Sequence, residues 1–125
     1  MARARGRVTG FPAAALDHVA IPCSDLARSA VFYARLGLTP GFARPGLQQM
    51  HLGAGMVELV VGDTPPQEAP VPRHLALRVA DLDAAALALR ELGIETDGAP
   101  RTGASGTQYL FLRDPDGNWV EVVAR

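Results

Sequence analysis

The chain contains two copies of one residue pattern, and this internal repeat limits its possible folds more than any other feature. The first part of each copy matches the other at an offset of 56 positions, as from His18 to His74. The last part matches at an offset of 63 positions, as from Glu58 to Glu121, so the second copy is seven residues longer. Two copies of this length predict two supersecondary units of one design. The coinciding residues in the first part are His18/His74, Ala20/Ala76, Asp25/Asp81, Leu26/Leu82, Ala30/Ala86, Leu36/Leu92 and Gly37/Gly93.

A proline-rich linker separates the two copies. Module one covers residues 15–62, the linker covers 63–72 and module two covers 73–125, so that 15–125 form a single domain. The linker prolines are incompatible with a helix interior or a central strand. Residues 1–14 hold three arginines with no apolar run after them, which predicts a flexible basic tail rather than a secretory signal.

Charge and cysteine content exclude several classes of protein. The 125 residues carry 12 basic and 13 acidic side chains, a formal charge of −1, whereas a protein that binds nucleic acid is expected to be basic. Acidic or basic residues interrupt every apolar stretch, so no membrane-spanning segment is expected. The single cysteine, Cys23, cannot form a disulfide within the chain, which favours a reducing cytoplasmic location.

Each module has the pattern of an α+β unit with the element order βαβββ. The first strands are predicted at Leu16–Cys23 and His74–Val79, where short apolar runs occur. A helix follows, because Asp25 and Asp81 are good N-cap residues and apolar residues then recur at helical spacing up to a glycine. The run Asp114–Asn118 predicts a tight turn before the last strand. The other predicted strands are Gly41–Arg44, Leu47–Leu52 and Met56–Val61 in module one, and a weak stretch near Gly98, Gln108–Arg113 and Trp119–Val123 in module two.

Two histidines and two glutamates are predicted on the face of the sheets opposite the helices. Side chains alternate across a strand, so the apolar odd-numbered residues pack under the helices and turn His18 and His74 the other way. The same alternation turns Glu58 and Glu121 to that face. A glutamate in an apolar strand is costly to bury unless it is paired or metal-bound. Imidazole together with carboxylate suits a divalent first-row metal ion, and four ligands leave positions open for water or substrate.

These residues, with the run from Asp114 to Glu121, resemble the vicinal oxygen chelate superfamily, the glyoxalase, bleomycin-resistance and dioxygenase group. The resemblance covers Leu16 to Val123. It implies two cupped mixed sheets and a divalent metal ion (Zn, Ni, Co, Mn or Fe). It also implies a homodimer in which each site takes a half from each chain. The implied metal ligands are His18, Glu58, His74 and Glu121.

The same resemblance implies an activity. Having both first-module ligands is the pattern of glyoxalase I, a lyase or isomerase that moves a proton next to a metal-chelated carbonyl or enediolate. Glu121 is the first choice of base, with Glu58 as its counterpart for the opposite face of the substrate. The arginine and asparagine that grip glutathione in glyoxalase I are replaced here by Pro22 and Gly62. These two departures count against glutathione as part of the small-molecule substrate, but not against the metal chemistry.

Three residues are predicted to contact the substrate. Arg78 has the parity of His74 and is a candidate anchor for an anionic group, although pairing with a nearby acid is an equal alternative. Trp119 and Met56 share the parity of the glutamates and are candidates for lining the mouth of the cup, against the alternatives of rim packing and core filling. Parity leaves the faces of Tyr109 and Phe111 open, because the register of their strand is not fixed by the sequence.

Two other classes of function stay open. The first is an extradiol-type dioxygenase or a thiol transferase that uses the same ligands. The second is a metal-free dimer that binds a drug or metabolite, as bleomycin-resistance proteins do. Among the remaining residues, Cys23 is expected to be a buried, inert thiol and His51 a surface or interface residue. Residues 103–106 are expected to form a flexible flap.

Overall fold

The computed structural model of the chain describes residues 10, 14–66, 68–70, 73–103 and 106–125. Most of the predicted basic tail therefore lies outside the described residues. So do residues 67, 71 and 72 of the linker and residues 104 and 105 of the predicted flap.

The described residues form two successive βαβββ modules, as the repeat predicts. Both helices are ten residues long, and no helix in the described ranges is long and apolar enough to cross a membrane. Module one contains β1 (Val19–Cys23), α1 (Leu26–Arg35), β2 (Thr39–Arg44), β3 (Leu47–Leu52) and β4 (Gly55–Val61). Module two contains β5 (Leu75–Val79), α2 (Leu82–Glu91), β6 (Arg101–Thr102), β7 (Gln108–Arg113) and β8 (Trp119–Ala124).

Each module has its own four-stranded mixed sheet. The strand orders are β1-β4-β3-β2 and β5-β8-β7-β6, so the first strand of each module is an edge strand beside the last one. This pairing of the first strand with the last is parallel, and it places Ala20 beside Glu58 and Ala76 beside Glu121. The remaining pairings are antiparallel. The two glutamates consequently occupy equivalent positions in the two sheets.

The helices begin where the sequence predicts. The Asp25 carboxylate accepts a hydrogen bond from the Arg28 amide at 3.0 Å, and Asp81 accepts one from the Ala84 amide at 3.1 Å. Such caps satisfy amides that have no partner within the helix. Gly37 follows the end of α1 with a φ of 99°, a conformation that glycine adopts without strain.

Two strand predictions need correction. The first strand begins at Val19 rather than Leu16, because its ladder with β4 starts with the pair Val19 and Val57. His18 and His74 therefore immediately precede β1 and β5 instead of lying within them. The weak strand expected near Gly98 begins later, at Arg101 of β6. Gly98 itself is not in a strand, because it has a positive φ of 84° and lies in a bend.

One apolar cluster is shared by both modules. Leu59 and Val120 are fully buried under the helices, and Ile21 and Val122 are nearly so. The residues predicted to pack under the helices are not all buried. At the strand ends, Val19 and Val61 remain 40% and 52% exposed. Because the buried residues come from both copies, each module contributes part of a single core.

The turn between β7 and β8 connects module two to module one. Asp114 is buried and accepts a hydrogen bond from the Tyr33 hydroxyl of α1 at 2.8 Å. The Asn118 side-chain amide donates to Asp114 and also to the backbone carbonyl of Pro22 in β1, at 2.8 and 3.0 Å. Asp116 accepts a hydrogen bond from the backbone amide of Ser24 at 3.0 Å. The turn thus fixes β8 relative to the start of module one.

Candidate metal centre

The first predicted ligand pair is His18 and Glu58. The Nε2 atom of His18 lies 3.5 Å from Oε1 of Glu58, and its Nδ1 atom is 2.8 Å from a carboxylate oxygen of Asp17. Gln49 on β3 donates a hydrogen bond to the other oxygen of Glu58 at 2.9 Å. The hydrogen bond to Asp17, together with the charge of Glu58, raises the pKa of His18. The pair is therefore held from two sides, by Asp17 and by Gln49.

The second pair, His74 and Glu121, has the same arrangement in module two. The Nε2 atom of His74 lies 3.1 Å from Oε1 of Glu121, and its Nδ1 atom is 2.8 Å from the carbonyl oxygen of Pro70. The ring of Phe111 contacts His74 edge to face, with centroids 5.2 Å apart. Pro70 in the linker and Phe111 in β7 thus both orient the His74 imidazole.

The chemistry of these side chains fits a divalent metal ion. In both pairs Nδ1 faces an oxygen acceptor, which leaves Nε2 as the atom directed at the carboxylate. Ligand histidines in metalloproteins commonly hydrogen-bond through the other ring nitrogen, which fixes the tautomer and the ring orientation. The glutamate side chains are only 18% and 20% exposed, so few waters compete for them. Two nitrogen and two oxygen donors suit a first-row metal ion.

One chain does not bring the two pairs together. They belong to different sheets. Within the described ranges, no group of three or more histidine, cysteine, aspartate or glutamate side chains is close enough to hold a metal ion. Each module therefore supplies two donors, and a four-ligand site needs the second pair from elsewhere.

The face of module one that carries Glu58 also carries His51, for which the sequence predicted a surface or interface position. Cross-strand pairing places Gln49 opposite Glu58 and His51 opposite Met56, so all four share one face. The exposed His51 ring covers Gly41 so closely that a Cβ atom there would overlap the ring. A β-bulge between Pro40 and Ala43 accompanies this contact. In the sequence, the glycine at position 41 is the sign of this contact. It can be interpreted only when the register of β2 and β3 is known.

The corresponding face of module two is aromatic. The register places Phe111 opposite Glu121 and Tyr109 opposite Val123, which decides the orientation that the sequence left open. Phe111 contacts Tyr109 and Trp119 edge to face, at centroid distances of 5.8 and 5.9 Å. The guanidinium carbon of Arg113 lies 3.9 Å from the Trp119 ring centroid. Phe111 and Trp119 are buried, so they hold the second ligand pair in an apolar setting.

The three predicted substrate-contacting residues lie in different depressions. Trp119 and His74 border a cleft of about 370 Å³ between β1 and β5. Met56 and His74 border a second cleft of about 350 Å³. Arg78 instead lines a groove of about 260 Å³ that also contains Leu89 of α2. The structure thus associates Met56 and Trp119 with the second ligand pair and places Arg78 along a different surface.

Cys23 lies under α1 and is fully buried. Burial raises the pKa of the Cys23 thiol. A thiol in this setting has little thiolate at neutral pH and is a poor nucleophile. The structure agrees with the expectation of an inert thiol.

Comparisons with known proteins agree with this architecture. The family model described as Glyoxalase/Bleomycin resistance protein/Dioxygenase superfamily matches residues 15–122. YwkD from Bacillus subtilis (strain 168) is 33% identical over 114 residues, which cover 81% of this chain and 89% of that protein. A glyoxalase family protein from Enterococcus faecalis matches with a TM-score of 0.73 and 30% identity, covering 87% of this chain and 96% of that one. Lactoylglutathione lyase from Agrobacterium tumefaciens has the same fold, with a TM-score of 0.74, 24% identity and coverage of 91% and 96%. With its two βαβββ modules and this match over most of its length, the chain belongs to the glyoxalase, bleomycin-resistance and dioxygenase superfamily.

Proposed function

We propose that the protein is a metal-dependent lyase or isomerase of glyoxalase type that moves a proton between neighbouring carbons of a small-molecule substrate. The observation that carries the proposal is the presence of two equivalent His–Glu pairs, each with Nε2 directed at a carboxylate. A divalent ion held by these donors would supply a Lewis acid that stabilises the negative charge developing on substrate oxygens. The residues His18, Glu58, His74 and Glu121 are its proposed ligands.

Glu121 is the proposed base. Among the described residues its one polar partner is His74, whereas Glu58 is also held by Gln49. A carboxylate held by fewer hydrogen-bond donors is freer to move towards a substrate proton. Glu121 removes a proton from carbon and returns it to the neighbouring carbon, and Glu58 serves the opposite face of the substrate.

A second copy of the chain is the proposed source of the missing half-site. The two pairs of one chain do not converge, and the superfamily resemblance implies a homodimer with composite sites. Each site would combine His18 and Glu58 of one protomer with the partner's His74 and Glu121. A twofold dimer forms two such sites at once.

Glutathione conjugates are not the proposed substrates. Pro22 and Gly62 replace the arginine and asparagine that bind glutathione in glyoxalase I, and neither side chain offers a hydrogen-bond donor. The A. tumefaciens lactoylglutathione lyase shares the fold at 24% identity, which carries no substrate assignment to this chain.

A metal-free binding protein is the second candidate. The aromatic surroundings of Phe111 and the clefts beside His74 favour this alternative, because apolar concave surfaces are typical of ligand pockets. A binding protein would work without the four proposed ligands.

Metal content and proton exchange together test the proposal. The native protein is purified without added metal, analysed for divalent metal and incubated in D₂O with hydroxyacetone, whose hydroxymethyl protons are followed by NMR. We expect bound metal and catalysed exchange, loss of metal in His74→Ala, and an exchange rate at least about 100-fold lower in Glu121→Gln. Glu91→Gln, at the end of α2, is the control. Exchange at the wild-type rate in Glu121→Gln excludes Glu121 as the base, and a native protein that neither contains nor takes up a divalent metal contradicts the whole proposal.

A further inference from the structure

The cleft between β1 and β5 has the size and lining of a small-molecule site. Its volume of about 370 Å³ falls within the range of about 300–1,000 Å³ that is usual for such sites. The walls are mostly apolar with a few polar groups, the usual composition of ligand pockets. Its lining includes Val19, Ile21, Pro65, Arg73, His74 and Trp119.

Arg73 is the cationic group of this cleft. It precedes His74 directly and is exposed. Within the described parts of the chain no ion pair involves Arg73, although its guanidinium is charged at any physiological pH. A planar guanidinium beside apolar walls suits a carboxylate that is attached to an apolar group.

The other polar groups of the cleft have partners already. His74 is held between Pro70 and Glu121, and the side-chain amide of Asn118 donates to Asp114 and Pro22. Neither side chain is available as a donor to an anion without loss of these contacts. Arg73 is therefore the residue of the cleft with donors to offer.

We propose that this cleft binds a small carboxylate with a flat apolar group, and that Arg73 pairs with the carboxylate while the apolar group lies against the exposed side chains of Val19 and Pro65. As a statement about substrate, this inference rests on the proposed function and says that the substrate carries a carboxylate and a flat apolar group in addition to the oxygens beside the transferred proton. It assigns the anion contact to Arg73 in place of Arg78, which lines a different groove.

Fluorescence of Trp119, the only tryptophan of the sequence, provides the measurement. Chelator-treated full-length protein is titrated with phenylacetate and with phenylacetamide, its neutral analogue of the same shape. We expect phenylacetate to change the emission and to bind at least about tenfold more tightly than phenylacetamide, since only the carboxylate forms a charge-assisted pair with the guanidinium. Arg73→Ala should abolish this preference, and Arg78→Ala should retain it.

Three results overturn the inference. They are equal affinity for the two probes, a preference that survives in Arg73→Ala, and no binding of phenylacetate up to about 20 mM. Circular dichroism is the check that Arg73→Ala is folded, and we expect a wild-type spectrum because the residue is exposed and outside the strands. The titration uses protein without metal, so a negative result does not contradict the proposed metal-dependent function. Conversely, the protein can bind phenylacetate through Arg73 even if it has no metal-dependent activity.

Discussion

Tyr33 is a polar residue in the middle of the apolar cluster. Its side chain is fully buried, and its hydroxyl donates to Asp114 across the boundary between the modules. Burial, with a smaller contribution from the charge of Asp114, raises the pKa of Tyr33 above the ordinary value of about 10. The hydroxyl therefore remains protonated in the folded protein at pH values where it would ionise in the unfolded chain.

This difference predicts a loss of stability in alkali. Above pH about 10 the unfolded chain releases the Tyr33 proton and the folded chain retains it, so the free energy of unfolding falls by up to about 1.4 kcal/mol per pH unit. The sequence has no lysine to obscure this slope, and Cys23, whose pKa is also raised by burial, is retained in both variants below. Urea unfolding between pH 8 and 11 measures the slope. We expect Tyr33→Phe to have a shallower slope than the wild type and Tyr109→Phe to be unchanged; equal slopes in the two variants contradict the argument.

Single residues also show where sequence reasoning stops. Alternation along a strand was sufficient to place Glu58 and Glu121 on the face opposite the helices. It could not show that Gly41 leaves room for His51, since that contact depends on a bulge and on the pairing of two strands. Arg73 was missed for a related reason. It lies before β5, so the alternation of side chains along a strand does not predict the direction in which it points.

At the level of elements, the turn from Asp114 to Asn118 has two roles. Its composition predicts a tight turn, and the structure confirms it: Gly117 has a φ of 86° and donates its amide to the Asp114 carbonyl at 3.0 Å. Its second role, contact with β1 and α1, was not predictable from local sequence, since these partners are more than 80 positions away. Local patterns determine turns and helix caps, whereas contacts between elements depend on how the two modules pack.

We predict that Asp114→Ala destabilises the protein by about 3–5 kcal/mol. The Asp114 carboxylate accepts hydrogen bonds from the Tyr33 hydroxyl, the Asp116 amide and both amides of Asn118, and most of these donors are buried. The control is Asp81→Ala, which removes the exposed cap of α2 and should cost about 1 kcal/mol. Urea unfolding compares the two. A loss for Asp114→Ala no larger than that for Asp81→Ala would show that the turn does not join the modules.

The two sheets differ in a way that the repeat conceals. Equivalent positions opposite the glutamates hold Gln49 in module one and Phe111 in module two. One half-site is therefore polar and the other aromatic, although their His–Glu pairs match. The repeat predicted that the two His–Glu pairs are equivalent. It could not predict that Phe111 lies opposite Glu121, because the second copy is seven residues longer and the register of β7 was therefore open.

In the whole molecule, each module carries one of the two His–Glu pairs that we propose as metal ligands. Both modules share one core, and the turn at Asp114 fixes one relative to the other, so neither is free to rotate towards the opposite pair. A rigid chain with two separated half-sites can complete a four-ligand centre by meeting a second rigid chain. In a twofold dimer, module one of one protomer then faces module two of its partner.

Composite sites of this kind predict complementation between two defective chains. The double variant His18→Ala/Glu58→Ala lacks the first half-site, and His74→Ala/Glu121→Ala lacks the second, so neither homodimer should bind metal. A heterodimer of the two, isolated through different affinity tags, has one site with all four ligands and one with none. We expect it to bind about half as much divalent metal per protomer as the wild type. If the sites instead form within one chain, the heterodimer contains no complete site and binds no more metal than either homodimer, and if no heterodimer can be isolated the proposed dimer itself is wrong.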